Sequence, residues 1–164
     1  MNIFVRKYAQ TDKPAVDQVV RDAWIELASV MPGWDQLAPR LVALTENAGY
    51  TEIVVAELDG DIVGAVGYVG PHRPKPDFFA PEWPMVRFMS VAPKARGHGV
   101  GRALLNECIR RAERDNTGLI ALHTTPVMAA AQSLYRRAGF EVIRHLADMF
   151  GVPYVLMTKE LQRT

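Results

Sequence analysis

Apolar and polar residues alternate across residues 2–9, NIFVRKYA, which predicts a short first strand. The period then lengthens. Ala15, Val16, Val19, Val20, Ala23, Trp24 and Leu27 recur at helical spacing and form one apolar face. Thr11 and Asp12 offer a cap, and Pro14 suits a first helical turn. MPGW at 31–34 breaks that helix, and a second is expected over 36–47. TEIVVAEL and DIVGAVGYV follow as two β-rich runs joined by Asp59-Gly60, a strong hairpin signal. The segment 71–84, PHRPKPDFFAPEWP, holds five of the chain's eleven prolines and reads as a loop longer than a hairpin needs. MVRFMSVA at 85–92 predicts a strand that feeds a glycine-rich turn and a helix over 100–114. GLIALHTT reads as a strand, VMAAAQSLYRRAG as a helix closed by Gly139, and FEVIRH and PYVLMTKEL as the last strands.

The resulting order is strand, two helices, three strands, helix, strand, helix, two strands. This is a mixed α/β arrangement around one sheet, antiparallel first, with a strand–helix–strand crossover in the middle. At 164 residues, with no stretch that reads as a linker, a single domain over 1–164 is expected. A chain 49% hydrophobic and 23% charged has the balance of a globular protein rather than a disordered one. Its net charge of +1 gives no reason to expect nucleic acid or a membrane surface as partner. The lone Cys108 excludes an internal disulfide framework, and no signal-like or membrane-spanning apolar run is evident, so a cytoplasmic setting is expected.

The chemistry concentrates in VAPKARGHGVGRALL. Gly97, Gly99 and Gly101 stand where a strand turns into a helix, leaving room for another group to approach the backbone. The first amides of that helix lack internal partners and lie at the positive end of its dipole, so a phosphate or pyrophosphate suits the turn. Arg96 and Arg102 flank it, with Arg87 and Lys94 close in sequence. A Walker A loop needs Lys-Ser/Thr after its last glycine, whereas Arg102-Ala103 follow here. A dinucleotide fingerprint needs a small residue at Arg102 or Leu104 and a parallel sheet before it, and neither condition is met.

Arg96-Gly97-His98-Gly99-Val100-Gly101, with Val91 and Pro93 before it and Leu104-Leu105 after it, resembles the pyrophosphate loop of the GNAT acyl-CoA-dependent N-acetyltransferases. A second stretch, AAAQSLYRRAGF, is similar to a later motif of the same superfamily through Ala131, Leu134, Tyr135, Gly139 and Phe140. The element order agrees from end to end. The resemblance implies a mixed, mostly antiparallel sheet of about seven strands flanked by about four helices, with splayed central strands. It also implies acetyl-CoA as cosubstrate, bound by Met89, Ser90, Val91, Arg96, Gly97, His98, Gly99, Val100, Gly101, Arg102, Ala131 and Tyr135.

Acyl transfer to an amine requires an oriented thioester, a stabilised oxyanion, a deprotonated nucleophile and a proton for the leaving thiolate. By the resemblance, the Val91 amide is the oxyanion donor and Tyr135 the acid. A bland alternative for Tyr135 is a ring packed on the sheet with its hydroxyl in solvent. Relatives often carry a basic glutamate near the position of Met85. Here the nearest carboxylate is Glu82, which is either a base or a solvated loop residue. His123 is another candidate, or a structural hydrogen-bonding residue. Relatives also often carry a pantetheine-contacting asparagine where this chain has Met128.

The acceptor is expected between the early helices and the proline-rich loop, near Trp34, Phe78, Phe79, Trp83 and His123. Those aromatics serve equally as cover for the core or as a dimer contact. His72, His98, His123 and His145 lack metal-ligand spacing with Cys108, so no metal is expected. Cys108 falls on the apolar helix face with Val100, Leu104, Ile109 and Ala112 and reads as core. Arg110, Arg111 and Arg114 read as a solvated face, or as a grip on the CoA 3′-phosphate. A small primary amine is the favoured acceptor. A protein N-terminus or lysine, and a non-catalytic acyl-CoA sensor, are the alternatives. The fold is compatible with a homodimer.

Overall fold

The computed structural model describes residues 2–164 and contains one seven-stranded sheet, ordered β1-β2-β3-β4-β5-β7-β6. Its strands are β1 (Ile3–Lys7), β2 (Thr51–Leu58), β3 (Asp61–Val69), β4 (Met85–Val91), β5 (Leu119–Thr124), β6 (Glu141–Met149) and β7 (Val152–Glu160). All neighbouring pairs are antiparallel except β4 and β5. The mixed, mostly antiparallel fold is the one the resemblance implied.

Sequence periodicity explains the layering. In β2 and β3, Val54, Ala56 and Val66 face one core with Leu104, Leu105 and Cys108 of helix α4 (Val100–Arg114). Their neighbours Ile53, Val55 and Ala65 face the other, with Val16 and Val20 of α1 (Lys13–Trp24). Both faces are covered, so these strands read as nearly continuous apolar runs. Asp59 and Gly60 take positive φ at the expected hairpin turn.

The expected helix over 36–47 is broken. It becomes α2 (Trp34–Leu37), a 3-10 segment (Ala38–Val42) and α3 (Ala43–Glu46). Pro39 lacks the amide that a continuous α-helix would use. The strand expected from FEVIRH is also longer than predicted, running on to Met149 and so to the turn before the last strand. The two last strands meet at Phe150 and Gly151, both at positive φ, a turn without the usual Asn or Asp. Helix α5 (Ala129–Arg137) ends at Gly139 as expected.

Two departures from regular pairing shape the centre. Gly67 pairs with Arg87 and Ala65 with Ser90, so β4 spends one residue more than β3 over the same span. That residue belongs to a β-bulge, where Phe88 sits at φ 51°. At its other edge β4 is registered with β5 only at its start, Met85 against Ala121, supported by the Ala121 amide donating to the Pro84 carbonyl at 2.9 Å. The two strands then part and open a cleft between their C-terminal ends.

Candidate active site

The glycine turn lies above that cleft. Gly97 and Gly99 have φ of 83° and 84°, conformations that side chains rarely adopt, and a Cβ on Gly97 would meet nothing within 4 Å. The first helical bond of α4 runs from the Ala103 amide to the Gly99 carbonyl, leaving the Val100, Gly101 and Arg102 amides without helical acceptors. An exposed, open turn with unsatisfied amides fits a pyrophosphate. Arg102 and His98 are exposed beside it. Arg96 instead forms an ion pair with Glu26 at 2.5 Å, both side chains being about half exposed.

The two motifs converge here. A Cβ on Gly101 would lie 3.1 Å from Leu134 of α5 and 3.6 Å from Val91 at the end of β4. Ala131 and Leu134 pack on the α4-side core, next to Tyr135. The Ala92 amide donates to the Val63 carbonyl at 2.8 Å. Strand alternation therefore turns the Val91 amide the other way, toward the cleft. Ser90 is buried, and its hydroxyl accepts from Trp24 and donates to the Phe88 carbonyl, bracing the end of the strand.

A cavity of about 520 Å³ continues from the cleft. Tyr135, Met89 and Met128 line its inner end. Among the described residues the Tyr135 hydroxyl has no hydrogen-bond partner, and burial raises its pKa well above the ordinary phenol range, with Cys108 a smaller cause. The phenol thus keeps its proton at neutral pH. Cys108 itself is fully buried, and burial pushes its thiol up to about 12, as befits a core residue.

His123, at the end of β5, faces the same cavity within a ring of aromatics. Phe78, Phe79 and Tyr154 lie with centroids 5.2, 5.6 and 5.7 Å from the imidazole. Its Nδ1 is buried without a partner, and burial, helped by the Arg87 charge, lowers its pKa to about 4. The imidazole is neutral at pH 7. Beside it the Thr124 hydroxyl is likewise buried and unpartnered.

Of the expected acceptor residues, Phe78 and His123 line the cavity, whereas Trp34, Phe79 and Trp83 pack into the surrounding apolar clusters. Glu82 is exposed on the loop and is not part of the cavity wall. The remaining wall comes from segments whose role was not read from the sequence. Pro39, Arg40 and Glu46 come from the broken helix, Arg87 and Phe88 from the bulge, and Phe150 and Tyr154 from the last hairpin. MPGW contributes indirectly: the Gly33 amide donates to the Phe150 carbonyl at 2.8 Å, and a Cβ on Gly33 would lie 2.4 Å from Phe150 Cα. Arg87, close in sequence to the glycine turn, faces this cavity instead.

A second cavity, about 780 Å³, opens near the C-terminal end of α4. Fifteen residues of helix put that end about 20 Å from the glycine turn. Arg111 and Arg114 there pair with Glu52 at 2.8 and 2.9 Å, and Arg110 with Glu107, so these cations are engaged in the protein itself. Among the described residues no group of three or more His, Cys, Asp or Glu could hold a metal ion. Among the described residues no helix is long and apolar enough to cross a membrane.

The family model of the acetyltransferase (GNAT) family matches residues 16–140. No curated protein matches the chain in sequence. Among solved structures, one from Corynebacterium glutamicum ATCC 13032, described as histone acetyltransferase HPA2 and related acetyltransferase, is 27% identical with a TM-score of 0.77, covering 100% of this chain and 99% of that one. The ribosomal-protein-alanine N-acetyltransferase of Brucella melitensis is 28% identical with a TM-score of 0.67, over 96% and 99% of the two chains. The PaiA N-acetyltransferase of Thermoplasma acidophilum, solved in complex with coenzyme A, shares the fold at 16% identity and a TM-score of 0.73, over 98% and 100%.

Proposed function

Because this chain belongs to the acetyltransferase (GNAT) family, and so is an acyltransferase that takes its acetyl group from acetyl-CoA, we propose that it acetylates the primary amine of a small molecule by direct attack in a ternary complex. The observation that carries this reading is the position of Tyr135, whose unpartnered, protonated phenol lines the cavity below the cleft and the glycine turn.

In this reading the turn amides at Val100, Gly101 and Arg102 hold the pyrophosphate, and the unpaired end of β4 receives the pantetheine arm. The Val91 amide donates to the thioester oxygen as negative charge gathers there. The neutral amine attacks the thioester carbonyl carbon, forming a C–N bond, and the C–S bond breaks. Tyr135 gives its proton to the departing thiolate, and a proton shed by the nitrogen restores the phenol. Acetyl-CoA and an ammonium thus yield an amide, CoA thiol and one proton. That last proton leaves the ammonium before attack, and the cavity wall holds two groups that can take it, the Glu46 carboxylate and neutral His123, the latter a weak base because burial lowers its pKa to about 4. Glu82, exposed on the loop, is not given that role.

The enclosing aromatics favour a small acceptor: Phe78, Phe88 and Phe150 approach from three separate segments. Likeness to the Brucella ribosomal-protein-alanine enzyme favours a second reading, a peptide N-terminus inserted into the same cavity. Release of CoA thiol from acetyl-CoA, followed across small amines and short peptides with Tyr135→Phe alongside, separates the two. Turnover confined to small amines and lost in the variant supports the first reading. Turnover confined to peptides replaces it with the second.

A further inference from the structure

The acceptor cavity has an unbalanced charge lining. Three charged side chains face it, Arg40, Arg87 and Glu46, giving two cations against one carboxylate. Other arginines either pair with carboxylates, as Arg6 does with Asp12 and Glu57 and Arg114 with Glu52 and Asp115, or stand exposed to solvent, as Arg102 and Arg136 do. Among the described residues neither Arg87 nor Arg40 has an acidic partner. Each lies over an aromatic face instead, Arg87 at 5.6 Å from the Phe88 centroid and Arg40 at 5.4 Å from that of Phe150. Arg87 is half-buried, and a guanidinium withdrawn from water without a counter-ion is costly unless something else supplies the anion.

The apolar part of the lining has a consistent shape. Phe78, Phe88, Phe150 and Tyr154 line the cavity with aromatic rings, and the methionines Met85 and Met149 add polarisable, adaptable contacts. A ligand complementary to this wall has a large apolar body, a carboxylate for the arginine and an amine for the thioester. A plain monoamine leaves Arg87 unpaired, and a polyamine brings further positive charge toward two guanidiniums.

Resting on the acetyl-transfer reading above, we propose that the acceptor is an amino acid with an aromatic or large apolar side chain, and that Arg87 selects it by binding its carboxylate. A guanidinium is suited to this because it meets a carboxylate with two parallel hydrogen bonds and fixes its orientation. Arg87 sits close enough to His123 for its charge to disfavour the protonated imidazole. A carboxylate on Arg87 cancels that charge, so the correct acceptor improves the nearby proton acceptor as it binds. Arg87 is thereby a specificity residue with a positioning effect.

The test pairs phenylalanine, tryptophan and methionine with their decarboxylated amines. Binding to the CoA-saturated protein is measured by calorimetry, and kcat/KM by thiol release from acetyl-CoA. The expected result is at least a tenfold preference for the carboxylated member of one or more pairs. That preference collapses toward unity in Arg87→Gln, mostly through KM, and is partly restored in Arg87→Lys, while circular dichroism and CoA binding show both variants folded. Equal or better handling of the decarboxylated amines overturns the proposal, as does a preference that survives Arg87→Gln. So does failure of every amino acid to bind at millimolar concentration. The transfer reading fails separately: acetyl-CoA then neither shifts the melting temperature nor releases thiol with any amine.

Discussion

The Trp24 indole N–H donates to the Ser90 hydroxyl across 3.0 Å, and Ser90 donates in turn to the Phe88 carbonyl two residues back at 2.8 Å. This relay ties the end of α1 to the bulge in β4. The bulge turns Arg87 and Phe88 toward the acceptor cavity while the next residues present the Val91 amide to the cleft. The Ser90 hydroxyl is therefore a brace for the end of β4.

Ser90→Ala removes that brace and leaves the Trp24 N–H without its acceptor. Stability should fall by about 1–3 kcal/mol, read from urea unfolding. The rate should fall further than CoA affinity does, about tenfold or more in kcat, because the bulge geometry relaxes under the reacting atoms. Unchanged kcat in a folded Ser90→Ala protein would show that the bulge holds its form without the relay.

The glycine turn can be tested by one methyl group. Gly99 is the residue before α4 and holds φ 84°, so Gly99→Ala places a Cβ in a left-handed conformation at a cost of about 1–2 kcal/mol. The nearest atom, on Ile3, is 3.8 Å away, so strain rather than collision is the penalty. Relief of that strain turns the Val100 and Gly101 amides out of line. CoA affinity measured by calorimetry should drop about tenfold or more, while Leu134→Met, which leaves the turn's backbone alone, should change it far less. Equal losses in the two variants would argue that the turn acts only by packing.

Much of this arrangement was readable before any coordinates. Asp59-Gly60, the β-rich runs of β2 and β3 and the strand–glycine–helix passage each follow from local chemistry, because turn residues and periodicity act over a few positions, whereas Leu134 and Tyr135 stood out through the family resemblance. Other parts depend on events that periodicity does not record. Strand alternation names a face only while the register is unbroken, and the bulge at Phe88 breaks it, which is why Arg87 read as a neighbour of the phosphate loop. Pro39 split the expected helix and turned Arg40 and Glu46 toward the cavity. The Phe150-Gly151 turn has only its glycine as a signal, so the two last strands are legible but the turn that joins them, with Phe150, is not. The parting of β4 from β5 is set by tertiary packing.

Removing the Tyr135 hydroxyl separates chemistry from folding. The residue is buried and its hydroxyl has no hydrogen-bond partner among the described residues, so Tyr135→Phe strands no partner group and should leave stability nearly unchanged. If the phenol protonates the thiolate, kcat falls by about 10²–10⁴ while CoA binding stays within a few fold. The ordinary tyrosine value is 10.0, and burial moves the folded protein's value above it. The acid should therefore stay competent throughout the neutral and mildly alkaline range, with no alkaline limb from this group below pH 10. Wild-type activity in Tyr135→Phe would remove Tyr135 from the mechanism.

His123 gives the pH dependence of stability a defined sign. Its folded value is lowered from 6.5 to about 4, so the unfolded chain binds a proton in a range where the folded protein does not. The stability from keeping this ring neutral is complete above pH 6.5 and is lost as the pH falls toward 4. That gap corresponds to roughly 3 kcal/mol. Carboxylates held low by arginines, Asp12 by Arg6 among them, also lose stability on acidification, but chiefly below their ordinary value of 3.8. The difference between wild type and His123→Phe isolates the histidine. The variant lacks the proton uptake, so unfolding free energies at pH 7 and pH 4.5 should differ less in it than in wild type. Parallel pH profiles for the two proteins would mean that the imidazole is solvated through the cavity and titrates near its ordinary value. His123 would then be charged at mildly acidic pH and unable to accept a proton from the incoming ammonium there.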